Sequence, residues 1–232
     1  MVVQRAQRFP GAWRTFRVWA KLEPSQQVWP IPLPGLFAAL GRCLQFQAPE
    51  AAALIYIAFH CYLRTGEFLA LQCGQVRGTP AAPVLVLADT KTSKRHGGAE
   101  YVAIEDPAAV VLIHWLVKRR SGVGPLWTGT PSSFRTLWRK LMESIGLPAD
   151  LFTPYCLRRG GATFDFCVHG SLDRALERGR WQNGRTAKIY IRQGEELLSR
   201  TFFSAAQNLD NEALRLMFLH LVQRAQREIS GG

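Results

Sequence analysis

The sequence predicts a mainly α-helical chain with one small antiparallel β-sheet. Three observations lead there. Apolar residues recur at helical spacing through most of the chain from residue 35 onward. β-forming residues alternate in one region, on either side of a polar, glycine-containing middle, in "APVLVLADTKTSKRHGGAEYVAIED". Prolines and glycines punctuate the segments between. At 232 residues and 47% hydrophobic content, the chain is long enough to bury one large core.

In order, residues 1–20 read as a basic amphipathic helix. Pro24, Pro30, Pro32 and Pro34 in "LEPSQQVWPIPLPG" then break helicity, and the segment reads as a linker. Two helical runs follow, "LFAALGRCLQFQ" and "APEAAALIYIAFHCYLRTGEFLALQ", where Pro49 and Glu50 suit a helix start. Gly66 interrupts the second run, which places a turn near Arg64-Thr65-Gly66 and a fresh helix from Glu67. After the hairpin, whose tip is basic, Asp106-Pro107 opens the helix "AAVVLIHWLVKRR". The next, "PSSFRTLWRKLMESIG", has a Ser/Thr-type start and a stop at Gly146. Further helices are expected at 157–169, 171–179, 184–191 and 210–228. The last has an apolar stripe of Leu209, Ala213, Leu216, Met217, Leu221 and Ala225, which covers its own domain or docks on a neighbouring protomer. The sequence contains no internal repeat.

Charge narrows the function. Lys and Arg number 29 against 17 Asp and Glu, a formal net charge of +12, so polyanions are the natural partners, nucleic acid ahead of a membrane surface. The sequence has no run of 18 apolar residues, and "MVVQRAQRFPGAWRTFRVWA" scatters arginines where a signal peptide would be apolar. An intracellular protein is expected, in the nucleus of a eukaryote or the cytoplasm of a bacterium. Cys43, Cys61, Cys73, Cys156 and Cys167 are odd in number and widely spaced, against a disulfide framework. With no CxxC or HExxH, a metal site has no support.

Four polar or basic islands interrupt apolar surroundings: "YLRTGEFLAL" with Arg64, "LADTKTSKR" with Lys91, "YCLRRGGATF" with Tyr155 and Arg158, and "GRWQNGRTAKIYI" with Trp181 and Tyr190. The Gly160-Gly161 pair is a poor choice for a helix, each glycine weakening it by about 1 kcal/mol relative to Ala, so something must come close to that backbone. Arginine grips phosphate oxygens with a planar fork and stays charged near neutrality. A lysine can protonate a leaving alkoxide, and a tyrosine can attack phosphorus and hold a covalent intermediate. Together these groups make a metal-free phosphodiester-transfer site.

The four islands resemble the boxes of the tyrosine recombinases, or phage integrase family. "LRTGEFLAL" resembles the first arginine box at Arg64 and Glu67. "TKTSKR" resembles the hairpin lysine box at Lys91, with Lys94 as second choice. "YCLRRGGAT" resembles the second arginine box at Arg158, and Trp181 to Tyr190 has the nine-residue interval of the last box. The resemblance covers about residues 30–200. It implies that Arg64 and Arg158 stabilise the transition state at phosphorus and Tyr190 is the nucleophile. Lys91 would protonate the leaving 5′-oxygen, and Trp181 would add a hydrogen bond. No cofactor is implied, because the covalent link conserves the bond energy. The partner implied is double-stranded DNA, with Lys94, Arg95, Arg159, Arg180, Arg185 and Lys188 as backbone-binding candidates. Arg159 has an acidic structural partner as its alternative.

The resemblance also implies a division into an N-terminal remnant of a helical DNA-binding domain over 1–22, a linker over 23–34, a catalytic domain over 35–205, and a C-terminal amphipathic helix and tail over 206–232. That helix would join protomers on DNA. The short N-terminal part implies weaker DNA binding than in a two-domain enzyme.

One residue departs from the pattern. Tyr155 stands where the family usually has histidine, and a phenol is a poor general base at neutral pH, so Tyr155 is expected to keep a hydrogen-bonding role. The competing functions are a mobile-element remnant that binds DNA without cutting, a type IB topoisomerase-like enzyme, and a generic basic helical module with the four boxes far apart. Locally, Arg64 pairing Glu67, Lys91 and Lys94 as solvated tip charges, and Trp181 and Tyr190 as packing residues remain alternatives. Trp115 and Trp138 read as helix packing. His60, His96, His114, His169 and His220 read as structural or surface, with His169 the one stand-in for the missing histidine.

Overall fold

A computed structural model describes residues 28–88, 98–181 and 184–231. The helix expected over 1–20 and the basic hairpin tip lie outside the described residues.

The segment read as a linker is part of the packed body from residue 28 onward. Trp29 N–H donates to the Leu151 carbonyl at 2.9 Å, and Ile31 is buried with its N–H on the Cys156 carbonyl. The prolines here start a helix, because Pro lacks only an N–H that a first turn leaves unpaired. Helix α1 thus runs Leu33–Gln45 behind Pro32. Helix α2, Pro49–His60, is apolar on every side and buried nearly all round, making it the central helix. Tyr62 turns the chain with φ 47°, and α3, Thr65–Ala70, starts two residues ahead of the expected Glu67 because the Glu67 side chain caps the Arg64 N–H.

The sheet has three strands in the order β1 (Val76–Thr79), β2 (Ala82–Leu87), β3 (Glu100–Ala103), all antiparallel. β1 was not expected: "VRGT" is short and mostly exposed, so it lacks the alternation that marked β2. Leu85 and Leu87 point from β2 into the core.

Helix α4, Pro107–Arg119, is capped by Asp106, and α5, Pro131–Ser144, by Thr130. Next come α6 (Cys156–His169), which ends on left-handed Gly170, and α7 (Leu172–Gly179), capped by Ser171. Then follow α8 (Gly184–Tyr190) and a short α9 (Gln193–Ser199) that was not expected. The last, α10, is Ala205–Ser230, longer at both ends than expected because Ser204 and Gln207 form a reciprocal cap.

α10 lies against α1 and α4 of its own chain. Gly41 of α1 admits Leu214, and Leu214, Phe218, Leu221 and Ala225 are buried there. Trp115 of α4 donates its indole N–H to Glu228 at 2.6 Å. The expected stripe is rotated: Leu221 and Ala225 face inward, whereas Leu209, Leu216 and Met217 are exposed. Trp115 and Trp138 are core residues, as expected. No described helix is long and apolar enough to cross a membrane.

Candidate active site

A second, smaller apolar cluster seats the polar residues. Tyr62, Ala162, Trp181 and Ala187 form it, with Leu172, Leu176, Tyr190 and Ile191 around them. Helix α6 enters it through the glycine pair. A Cβ on Gly160 would stand 2.6 Å from the Ile31 carbonyl oxygen, and one on Gly161 would collide with the carbonyl oxygen of Phe59. The close approach expected from the sequence is thus α6 against α2 and the 28–32 segment. It fixes Arg158, two residues earlier, over the C-terminal end of α2.

Arg158 has no exposed surface. Its Nη1 donates to the Tyr62 carbonyl, and Nη2 to that of Gly179 at 2.7 Å. The Trp181 and Tyr190 rings lie over it, with centroids 5.1 and 5.4 Å from the guanidinium carbon. The two rings stack at 4.5 Å and 24°. Tyr155, at the N-cap of α6, donates its hydroxyl to the Tyr190 hydroxyl oxygen at 2.6 Å. Thr163 fixes the end of α8: its hydroxyl donates to the Tyr190 carbonyl at 3.2 Å and accepts from the Arg192 N–H at 3.1 Å.

Arg64 approaches from the start of α3. Its Nη1 donates to Glu67, which also accepts from Arg180 Nη2 at 2.8 Å. Glu100, the first residue of β3, lies 3.8 Å from Arg64 and 3.6 Å from Arg180. Sequence reasoning gave no role to Glu100, since a lone glutamate at a strand start has no pattern of its own. The Arg64–Glu67 pair also exists, so the bland local reading of Arg64 describes a contact inside this cluster.

Three guanidiniums meet two carboxylates here, and the electrostatics reflect it. Burial first, then the neighbouring Arg180 and Arg64, pushes Arg158 down to about 10, still protonated at neutral pH. Burial favours neutral Glu67, but Arg180 and Arg64 outweigh it and hold the carboxyl below its ordinary value. Arg64 is disfavoured by burial and raised more strongly by Glu67. Burial, then the hydrogen bond to Tyr190, raises the Tyr155 phenol.

Arg64, Tyr155, Arg158, Trp181 and Tyr190 therefore come together from four separate stretches of chain. The generic module with dispersed boxes is contradicted by the distance of 5.4 Å from Tyr190 to Arg158. Two of the arginines expected to bind DNA are turned inward rather than exposed. Arg159 is 8% exposed and donates to the Val28 carbonyl at 2.7 Å, anchoring the 28–32 segment. Arg180 turns inward onto Glu67 and Glu100, where two carboxylates offset its charge. Lys188 is exposed on α8. Lys91, Lys94 and Arg95, with His96, lie outside the described residues, as does the side chain of Arg185. His169 is no stand-in for histidine: it pairs with Asp165 at the far end of α6, roughly 16 Å of helical rise beyond Arg158. His60 faces Asp106 at 3.7 Å.

Neither a protein-family model nor a curated protein sequence matches the chain. Solved structures do. XerH site-specific recombinase, bound to palindromic difH substrate in a post-cleavage complex, superposes with TM-score 0.57 at 14% identity, over 77% of this chain and 53% of that one. The same recombinase in a pre-cleavage complex with difH gives 0.56 at 18%, over 75% and 53%. XerA recombinase gives 0.58 at 15%, over 78% and 64%. The chain thus matches just over half to just under two thirds of their length. The three boxes that lie among the described residues meet at one cluster, these superpositions agree, and the chain has the fold of a tyrosine-recombinase catalytic domain.

Proposed function

We propose that the protein is a site-specific DNA strand transferase that breaks and rejoins DNA through a 3′-phosphotyrosyl link at Tyr190. The observation that carries this reading is the position of the Tyr190 phenol, stacked on Trp181, hydrogen-bonded to Tyr155 and resting on Arg158. The Tyr190 oxygen, releasing its proton to solvent, bonds to phosphorus as the P–O5′ bond breaks, and Lys91 gives its proton to the departing 5′-oxygen. The reverse step rejoins the strand. Arg64 and Arg158 stabilise the charge on the pentacoordinate phosphorus, and such preorganised charge is commonly the largest catalytic contribution. The Trp181 indole N–H is buried with no partner among the described residues and is free to donate to a phosphate oxygen.

DNA is the partner in this reading, held by the chain's excess positive charge and by exposed groups such as Lys188. The protein acts inside the cell, without a metal or nucleotide cofactor, and its protomers associate on DNA. The exposed residues Leu209, Leu216 and Met217 of α10 are the side chains available for that contact.

Incubation with supercoiled plasmid in EDTA, quenched in detergent, tests the reading through protein-linked nicked DNA. The link is expected in the parent and absent from Tyr190→Phe. Binding without a link, on nicked substrates as well, would favour a second reading, a protein that binds DNA and no longer cuts. The phenol of Tyr155 in place of an imidazole is the observation on its side.

A further inference from the structure

The cluster contains one guanidinium more than the resemblance assigns. Arg180 is 8% exposed at the side chain, yet its Nε and Nη1 have no hydrogen-bond partner among the described residues. Nη2 is bonded to Glu67 at 2.8 Å and weakly to the Tyr62 carbonyl at 3.5 Å, while Nη1 meets Glu100 only at the 3.6 Å of an ion pair. Buried guanidinium N–H groups without a hydrogen bond are costly, and native proteins rarely leave them so. Arg180 also has φ 54° and ψ 45°, left-handed values that a non-glycine residue adopts at a cost. This backbone geometry at the end of α7 turns the side chain inward and delivers Trp181, whose own indole N–H lacks a partner, to the same cluster.

The charge count gives the class of ligand. Arg64, Arg158 and Arg180 face Glu67 and Glu100, which leaves one positive charge uncompensated. A phosphodiester carries one negative charge. Arg180 and Arg158 also share the Tyr62 carbonyl as acceptor, so their heads are close and repel, and an anion between them relieves this.

We infer that Arg180 is a phosphate-binding residue of this site, an N–H group left without a hydrogen bond on Nε or Nη1 donating to a non-bridging oxygen of the same phosphodiester that Tyr190 attacks. This rests on the reading of the cluster as a phosphodiester site. It narrows the DNA-binding role expected of Arg180 from the sequence to the reacting phosphate.

The probe is orthovanadate, a phosphate mimic without sequence requirement, titrated calorimetrically into the intact chain. Asparagine tolerates left-handed backbone, so Arg180→Asn preserves the turn. It is expected to weaken binding about tenfold or more, as loss of a charge-assisted pair does. Trp181→Phe, which keeps the ring stack and removes the N–H, is expected to weaken it as well. Arg180→Lys keeps an ion pair to Glu67 without the planar fork and is expected to recover only part of the affinity. Full recovery by lysine would mean that Arg180 merely holds Glu67, which overturns the inference. Loss of binding in Trp181→Phe with none in Arg180→Asn would overturn it too, while leaving the phosphodiester reading in place. No binding by the parent, or binding indifferent to both changes, would overturn the two together.

Discussion

Replacing Tyr155 by phenylalanine removes one oxygen from the site and leaves the rings where they are, 5.9 Å apart between centroids. The bond lost is the 2.6 Å donation to the Tyr190 oxygen. A hydrogen bond between neutral groups contributes about 0.5–1.5 kcal/mol, and one to a charged acceptor about 1.5–3 kcal/mol. The Tyr190 oxygen gains negative character as it loses its proton to attack phosphorus, so the larger range applies to the transition state. The bond already stabilises the ground state by the smaller amount, so the barrier rises by the difference, about 1–1.5 kcal/mol, and at 1.36 kcal/mol per factor of ten single-turnover formation of the covalent complex is expected to slow roughly 5- to 13-fold. The pH dependence adds a second readout. The phenol donates while protonated and stops as pH rises through its pKa. Burial and the Tyr190 bond raise that pKa above its ordinary value. The Tyr155 contribution is therefore constant from about pH 6 to 9, whereas Tyr155→His introduces a group titrating near 6.5. Covalent complex formation by Tyr155→Phe at the parental rate, or a Tyr155→His profile as flat as the parent's, would refute the reasoning.

Two further changes test the packing. Gly161→Ala places a methyl group against the Phe59 carbonyl and 2.9 Å from the Tyr62 ring; unfolding in urea is expected to show a loss of about 1–3 kcal/mol or more, with covalent trapping reduced because Arg158 moves with α6. Phe218→Ala empties a fully buried position between α10 and α1 and is expected to cost about 3–5 kcal/mol by the same measurement.

The sequence made the helices legible where a cap and a periodic face coincide, as at Asp106 and Thr130. It missed β1, whose four residues are too few and too exposed to alternate. It misjudged the buried face of α10 because Leu209, Leu216 and Met217 are as apolar as Leu214 and Phe218. Only contact with α1 and α4 decides which of them turn inward. In the site, Arg64, Arg158, Trp181 and Tyr190 were legible as spaced patterns. The inward turns of Arg159 and Arg180 were not, because both depend on acceptors distant in sequence, the Val28 carbonyl and the Glu67 and Glu100 carboxylates. Basic composition alone places arginines at the surface, and pairing with partners brought close by the fold overrides it.

The seating of α10 on α1 bears on how the chain reaches its native state. Gln45 and Met217, in contact across this seam, are 172 positions apart in sequence. Synthesis proceeds at about 5–20 residues per second, so α1 waits roughly 10–30 seconds on the ribosome for its cover. Through that interval the surface around Gly41 is bare and available to chaperones or to other nascent chains. Contacts so distant in sequence also slow folding itself, since the closure entropy of a long loop precedes any gain from the contact.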